Sequence, residues 1–213
     1  MIENNNNKGV SKQLAFAISG VALLIIAVAG SAYAYFTASA TSDAFTGSTL
    51  DVKLDKPVVT AVTADGAKGA GLIPIYDGTV NGHTSQLSAA ATATNQCVDK
   101  NGYTVCKVYK ISVKNSGTTA TTVNTTLNLN NGGATNLKWA RMTSATAVDT
   151  TLPTNSTVST GKALGAGATL EQYIMVYLKN TGADQTSTDA GRTISGTVTV
   201  TASTGSQVQA TFQ

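Results

Sequence analysis

Charge is scarce in this chain. Of its 213 residues only 12% are Asp, Glu, Lys or Arg, and the formal net charge is +3. No basic stripe runs through the body, so no nucleic-acid footprint is expected. Lys107, Lys110 and Lys114 do cluster, but they alternate with apolar residues as on the solvated face of a strand. Histidine is scarcer still, with His83 alone. A single imidazole excludes the two-histidine HExxH zinc helix and leaves a Ser-His-Asp triad dependent on one residue in a Gly-rich loop. No G-x-S-x-G elbow and no phosphate-cradling Gly-rich loop is present. Asp51, Asp55, Asp65, Asp77, Asp99, Asp149, Glu171, Asp184 and Asp189 are scattered among turns and strand edges, and spacing alone pairs none of them for acid/base work. The chain is therefore read as no enzyme, with no cofactor and no metal.

With 3 prolines, 1 tryptophan and 6% aromatic residues, the space is filled by small ones: Thr, Ser, Ala, Gly and Asn, within a 42% hydrophobic total. That mixture suits an extended β protein with many turns and an uncharged, adhesive surface.

The one long apolar run lies near the start. A polar segment carrying Lys8 and Lys12 precedes "LAFAISGVALLIIAVAG", and Ala32-Tyr33-Ala34 follows as an A-x-A site. This is the three-part order of a secretory signal peptide. The expected cut falls after Ala34, leaving a mature end at Tyr35-Phe36, a secreted or cell-surface chain, and membrane contact only through the signal before cleavage. Two alternatives stay open: an uncleaved membrane anchor, and a type IV pilin cut near Lys8-Gly9 that keeps the run as a helix. Leu14 stands where bacterial pilins usually carry a glutamate.

After the signal the apolar period is two, not 3.6. The runs are Leu50, Val52 and Leu54; Tyr109, Ile111 and Val113; Val123, Leu127 and Leu129; Leu170, Ile174, Val176 and Leu178; Ile194, Val198 and Val200; and Val208, Ala210 and Phe212. Gly and Asn pairs punctuate them. Residues 63–71 read as a flexible connection, 85–95 as a short helix or a loop, and 143–168 as an excursion holding one irregular strand. The expected fold is all-β: a jelly-roll-like β-sandwich of about seven or eight strands. Residues 1–34 are the signal, 35–48 an N-terminal arm, and 49–213 the sandwich domain.

Two cysteines flank "VDKNGYTV". Asn101-Gly102 is a strong signal for a type I′ hairpin. Centred there, the register sets Lys100 opposite Tyr103, Val98 opposite Val105 and Cys97 opposite Cys106, at a distance a disulfide spans. A secreted chain oxidises such a pair. Two free thiols, or a metal site of Cys97, Cys106 and His83, are the competing readings. Asn124 and Asn155 head glycosylation sequons.

Residues 29–54 then carry a resemblance. An apolar signal, small residues at Ala32-Tyr33-Ala34, the aromatic pair Tyr35-Phe36, a Ser/Thr stretch and Phe45-Thr46-Gly47-Ser48-Thr49-Leu50-Asp51-Val52 resemble the TasA/camelysin family of secreted fibre-forming matrix proteins. "YKISVKNSG", residues 109–117, is similar to that family's strand ending in an Asn and Gly turn. The resemblance implies a jelly-roll subunit, export with cleavage by a dedicated signal peptidase, and assembly into extracellular fibres. In these the freed arm of one subunit completes the sheet of the next. The cysteine pair, and the lack of acidic residues between Tyr35 and Asp43, depart from the family's pattern.

In strand periodicity, Phe36, Ala38, Ala40, Ser42 and Ala44 share one small, apolar face of the arm, and Tyr35, Thr37, Ser39, Thr41 and Asp43 share the other, with Phe45 after them. Such a segment suits donation as a strand to a second copy. Donation from one copy to a different site on the next gives a head-to-tail homopolymer. The alternatives are an arm that forms the first strand of its own domain, and a monomeric surface-binding module.

Overall fold

The computed structural model describes residues 51–68, 71–149, 151–184, 189 and 193–213. Residues Leu50–Gln213 form one compact unit. The signal and the arm, with Ala32, Ala34, Tyr35, Phe36, Ala38, Ala40, Ser42, Ala44 and Phe45, lie outside the described residues.

The described chain is a β-sandwich of nine strands: β1 (Val58–Ala61), β2 (Cys106–Lys114), β3 (Thr121–Asn130), β4 (Leu137–Ser144), β5 (Ala147–Val148), β6 (Thr157–Leu164), β7 (Thr169–Leu178), β8 (Ser195–Ala202) and β9 (Gln207–Phe212). One sheet has the order β1-β2-β7-β4-β5 and the other β6-β3-β8-β9, and all neighbours are antiparallel. The pairs β2/β7, β3/β6 and β4/β5 are nested like the rungs of one long ribbon. Wrapping that ribbon brings β7 onto β4 and β3 onto β8, which is the jelly-roll connection. A jelly roll sets its first strand beside its last in the ribbon. Here β1 turns instead to the free edge of β2, and the C-terminal strand β9 takes the place beside β8.

Alternation explains the core. In β3, Thr121, Val123, Thr125 and Leu127 point inward between exposed or half-exposed neighbours. Together with Tyr109, Ile111 and Val113 of β2, Ile174 and Val176 of β7, and Val198 and Val200 of β8, they fill the space between the sheets. Tyr109 meets Phe212 across it, with ring centroids 4.4 Å apart. In β7 the opposite face is buried too. Met175 and Tyr177 belong to a second apolar cluster with Cys106, Val108, Ala140 and Met142, closed over by Ile75, Leu87, Ala90, Ala91 and Cys97. The connection from β1 to β2 is thus a cap on the outer face of the five-stranded sheet, and it contains the one helical turn among the described residues, α1 (Leu87–Ala90).

Several local expectations change. Leu50 lies outside the described residues, and Val52 and Leu54 are not in a strand: only Leu54 bridges, to Asn115. The segment is instead tied to the turn after β2, where Thr119 N–H donates to the Asp51 carbonyl (3.2 Å) and Ser116 N–H to the Lys53 carbonyl (2.8 Å). Gly117 allows that approach, since a Cβ there would overlap the Asp51 carbonyl. Buried Asn115 donates to the Thr119 carbonyl (2.8 Å) and accepts from Gly117 N–H (3.1 Å), which fixes the turn. The described part of 63–71 is anchored rather than free, with Gly66 N–H donating to Thr104 Oγ1 (2.7 Å) and Lys68 N–H to the Gly102 carbonyl (3.0 Å). Within 143–168 the chain completes β4 and makes β5 and β6.

Candidate assembly interface

Cys97 and Cys106 are joined in a disulfide with their Cα atoms 4.8 Å apart, and both are fully buried. The pairing follows the sequence reading, but the register does not. Val98 bridges Thr104 rather than facing Val105, and Asp99 N–H donates to the Tyr103 carbonyl at 3.0 Å. Asn101-Gly102 is therefore no type I′ turn. Gly102 alone of the two has positive φ (85°), as in a three-residue loop with glycine at its left-handed position. The Asp99 carboxylate decides this, accepting from Tyr103 N–H (2.8 Å) and Asn101 N–H (2.9 Å). The Tyr103 N–H first, then Asn101, hold its carboxyl below the ordinary range. The type I′ turn lies at Asn81-Gly82 instead, with φ 50° and 80° and reciprocal hydrogen bonds between Val80 and His83.

The polar side chains that sequence offered for chemistry are dispersed. His83 stacks on Tyr76, with centroids 4.7 Å apart. Asp65 pairs with Lys107, and Glu171 with Lys110 at 3.0 Å, so these two lysines sit in ion pairs instead of forming one solvated row. Asp77 accepts from the Tyr177 hydroxyl (2.9 Å) and pairs with Lys179 (3.0 Å). Burial, then the Asp77 charge, push the Tyr177 phenol well above its ordinary value of 10.0. This network fastens the cap to β7. Among the described residues no group of three His, Cys, Asp or Glu side chains is placed to hold a metal. The cysteines proposed with His83 for such a site are instead bonded to each other.

What distinguishes regions of the surface is the treatment of the four sheet edges. An exposed edge offers unpaired N–H and C=O groups, and proteins blunt it with short strands, proline, lysine or bulges. β1 is four residues long and follows Lys56-Pro57. β5 has two residues. β6 carries Lys162, and its register to β3 shifts twice, between Val123 and Thr125 and again between Thr125 and Thr126. β9 has none of these devices. It pairs with β8 in unbroken register from Gly196/Phe212 to Thr201/Gln207, and residues 193–213 contain no charge and no proline.

Which groups of β9 face outward follows from the ladder. Ala202 N–H donates to the Ser206 carbonyl (2.8 Å), so in the two-residue alternation Val208, Ala210 and Phe212 exchange hydrogen bonds with β8. The backbone groups of Gln207, Gln209 and Thr211 point away from β8. Their side chains are exposed on the outer face, while Ala210 and Phe212 are buried. Among the described residues no strand hydrogen-bonds to that edge, and β1 of the other sheet lies beside β9 at the same margin of the sandwich.

No protein-family model matches this sequence, and no curated protein does. Similar solved structures include a FixG-related protein from Vibrio parahaemolyticus (10% identity, TM-score 0.30), covering 74% of this chain and 95% of that one. They also include the archaellum periplasmic stator complex FlaF and FlaG from Sulfolobus acidocaldarius (15%, 0.23, covering 49% and 76%). A third is a family 123 glycoside hydrolase from Clostridium perfringens (9%, 0.29, covering 74% and 26%). Likeness at this level assigns no function to this chain.

Proposed function

We propose that this chain is the structural subunit of an extracellular homopolymeric fibre, a biofilm-matrix or cell-surface filament, assembled by donor-strand complementation after signal cleavage. In this reading the signal 1–34 directs export, a signal peptidase cuts after Ala34, and the arm 35–48 becomes the donor strand. The observation that carries it is the edge of β9: six residues of regular, uncharged strand left without the guards that the other three edges carry. An edge of that kind takes up an added strand through main-chain hydrogen bonds, with side-chain pockets giving selectivity. The Cys97–Cys106 disulfide agrees with an oxidising compartment outside the cytosol. No helix among the described residues is long and apolar enough to cross a membrane.

Two measurements test the reading. Deletion of residues 35–42 from the mature chain is expected to leave folded monomers in electron micrographs, and fibres at normal yield would refute it. N-terminal sequencing of the exported protein is expected to begin at Tyr35. A start near Val10 would replace the donor arm with a pilin helix.

A further inference from the structure

The fibre reading leaves open how the arm lies on the edge that receives it, and the point where the chain enters the sandwich decides this. Asp51 is held by Thr119, at the turn from β2 to β3. Thr121 and Ser203 share a hydrogen bond between their hydroxyls (3.0 Å), and Ser203 N–H donates to the Thr122 carbonyl (2.9 Å). The entry point and the β8–β9 turn therefore lie at the same end of the sandwich. β9 starts from that end at Gln207 and reaches the far end at Phe212, beside Gly196 at the start of β8.

In a head-to-tail filament each subunit sends its arm out from the Asp51 end and so receives its neighbour's arm at the opposite, Phe212 end. The part of the arm nearest its own body enters beside Phe212, and the free end at Tyr35 reaches towards Gln207. The arm then runs from 35 to 46 in the same direction as β9 runs from 207 to 212. An arm folding back onto its own β9 would run the other way, with residue 46 near Gln207 and Tyr35 near Phe212. Resting on the fibre reading, the geometry points to the arm of the next copy as the occupant of the β9 edge, added as a parallel strand in trans. Antiparallel pairing is the signature of self-closure.

The faces agree with that occupant. One side of the arm, Thr37, Ser39 and Thr41, extends the exposed row Gln207, Gln209 and Thr211. The other, Ala38, Ala40 and Ala44, lies on the side of Val208, Ala210 and Phe212, where small side chains fit a sandwich margin. Asp43 is the one charged side chain of the arm and β9 has none, so no ion pair joins the two strands and the polymer is expected to depend only weakly on salt.

The test is disulfide trapping in assembled mature protein, with the buried Cys97–Cys106 bond left in place. One cysteine is put at Thr37, Ser39 or Thr41 and one at Gln207, Gln209 or Thr211. The expected result is a ladder of cross-linked oligomers in which the arm position that reacts rises as the β9 position rises. This trend does not depend on the exact register. A falling trend, within one chain or between chains, overturns parallel addition. Fibres with no link to any β9 site overturn the edge, and failure of the unaltered protein to polymerise overturns the fibre reading itself. Gln209→Pro supplies a second arm, because it removes an outward N–H while Val208 and Ala210 keep the ladder to β8. Fibre mass is expected to fall at least tenfold with unchanged melting of the monomer. Unchanged fibre mass would overturn the assignment.

Discussion

The two sheets of this sandwich are finished differently. The five-stranded sheet is covered on its outer face by the connection from β1 to β2, braced by a buried disulfide and by the Tyr177–Asp77–Lys179 network. In the four-stranded sheet β3, β8 and β9 have a bare outer face of Thr, Asn, Ser and Gln, and the sheet ends at β9, an edge with no proline, charge or bulge. Enclosure buries apolar area and stabilises the fold. An open polar sheet adds less stability and keeps a site for another strand. Under the proposed fibre assembly, stability and polymerisation depend on opposite sheets, and substitutions can separate them.

The largest effect is expected on the open side. Gln207→Lys with Gln209→Lys places the usual edge charges on β9. Polymer yield, measured by sedimentation, should drop at least tenfold while the melting temperature stays within about 2 °C, since exposed substitutions change stability by about 0.5 kcal/mol or less. A large fall in melting temperature would break the comparison.

On the closed side, replacing both Cys97 and Cys106 by serine opens a short covalent loop and should cost roughly 2–3 kcal/mol. At about 2–4 °C per kcal/mol for a domain of this size, thermal melting should come roughly 5–10 °C earlier. Polymer yield well below that temperature should be unchanged. Loss of polymer from an otherwise folded protein would show that the cap takes part in assembly.

Gly117→Ala drives a Cβ into the carbonyl of Asp51 and should cost about 1–3 kcal/mol in urea unfolding. It loosens the point where the chain enters, so it also tests whether arm placement depends on that clamp. Tyr177→Phe is the smallest change, about 1–2 kcal/mol, because Asp77 loses a buried donor but keeps Lys179. It has a pH signature. The folded state raises the Tyr177 pKa, so the stability it supplies is complete below the unfolded phenol value near 10 and is lost as pH rises above it. Unfolding measured between pH 9 and 11 should fall more steeply for the parent than for the Phe variant.

Much of the fold was legible because β-strands announce themselves by period two. β2, β3, β7, β8 and β9 stand on the runs through Tyr109, Val123, Ile174, Val198 and Val208. β4 escaped because its strand "LKWARMTS" puts Lys138 and Arg141 among its apolar residues. β1 is too short, at four residues, to show a period. The disulfide was legible and its register was not, since the Asp99 carboxylate captures two N–H groups and overrides the turn that Asn101-Gly102 prefers by itself.

By itself the sequence determined an all-β chain and the pairing of its two cysteines, because these depend on local composition and spacing. Only the tertiary structure decided that the connection from 62 to 105 becomes a cap, that three sheet edges are guarded and the β9 edge is not, and that Asp51 enters at the end where β9 begins. Those facts depend on which strands become neighbours. Neighbours far apart in the chain are selected by burying shared apolar faces and satisfying backbone hydrogen bonds together, and no short stretch of sequence records that choice.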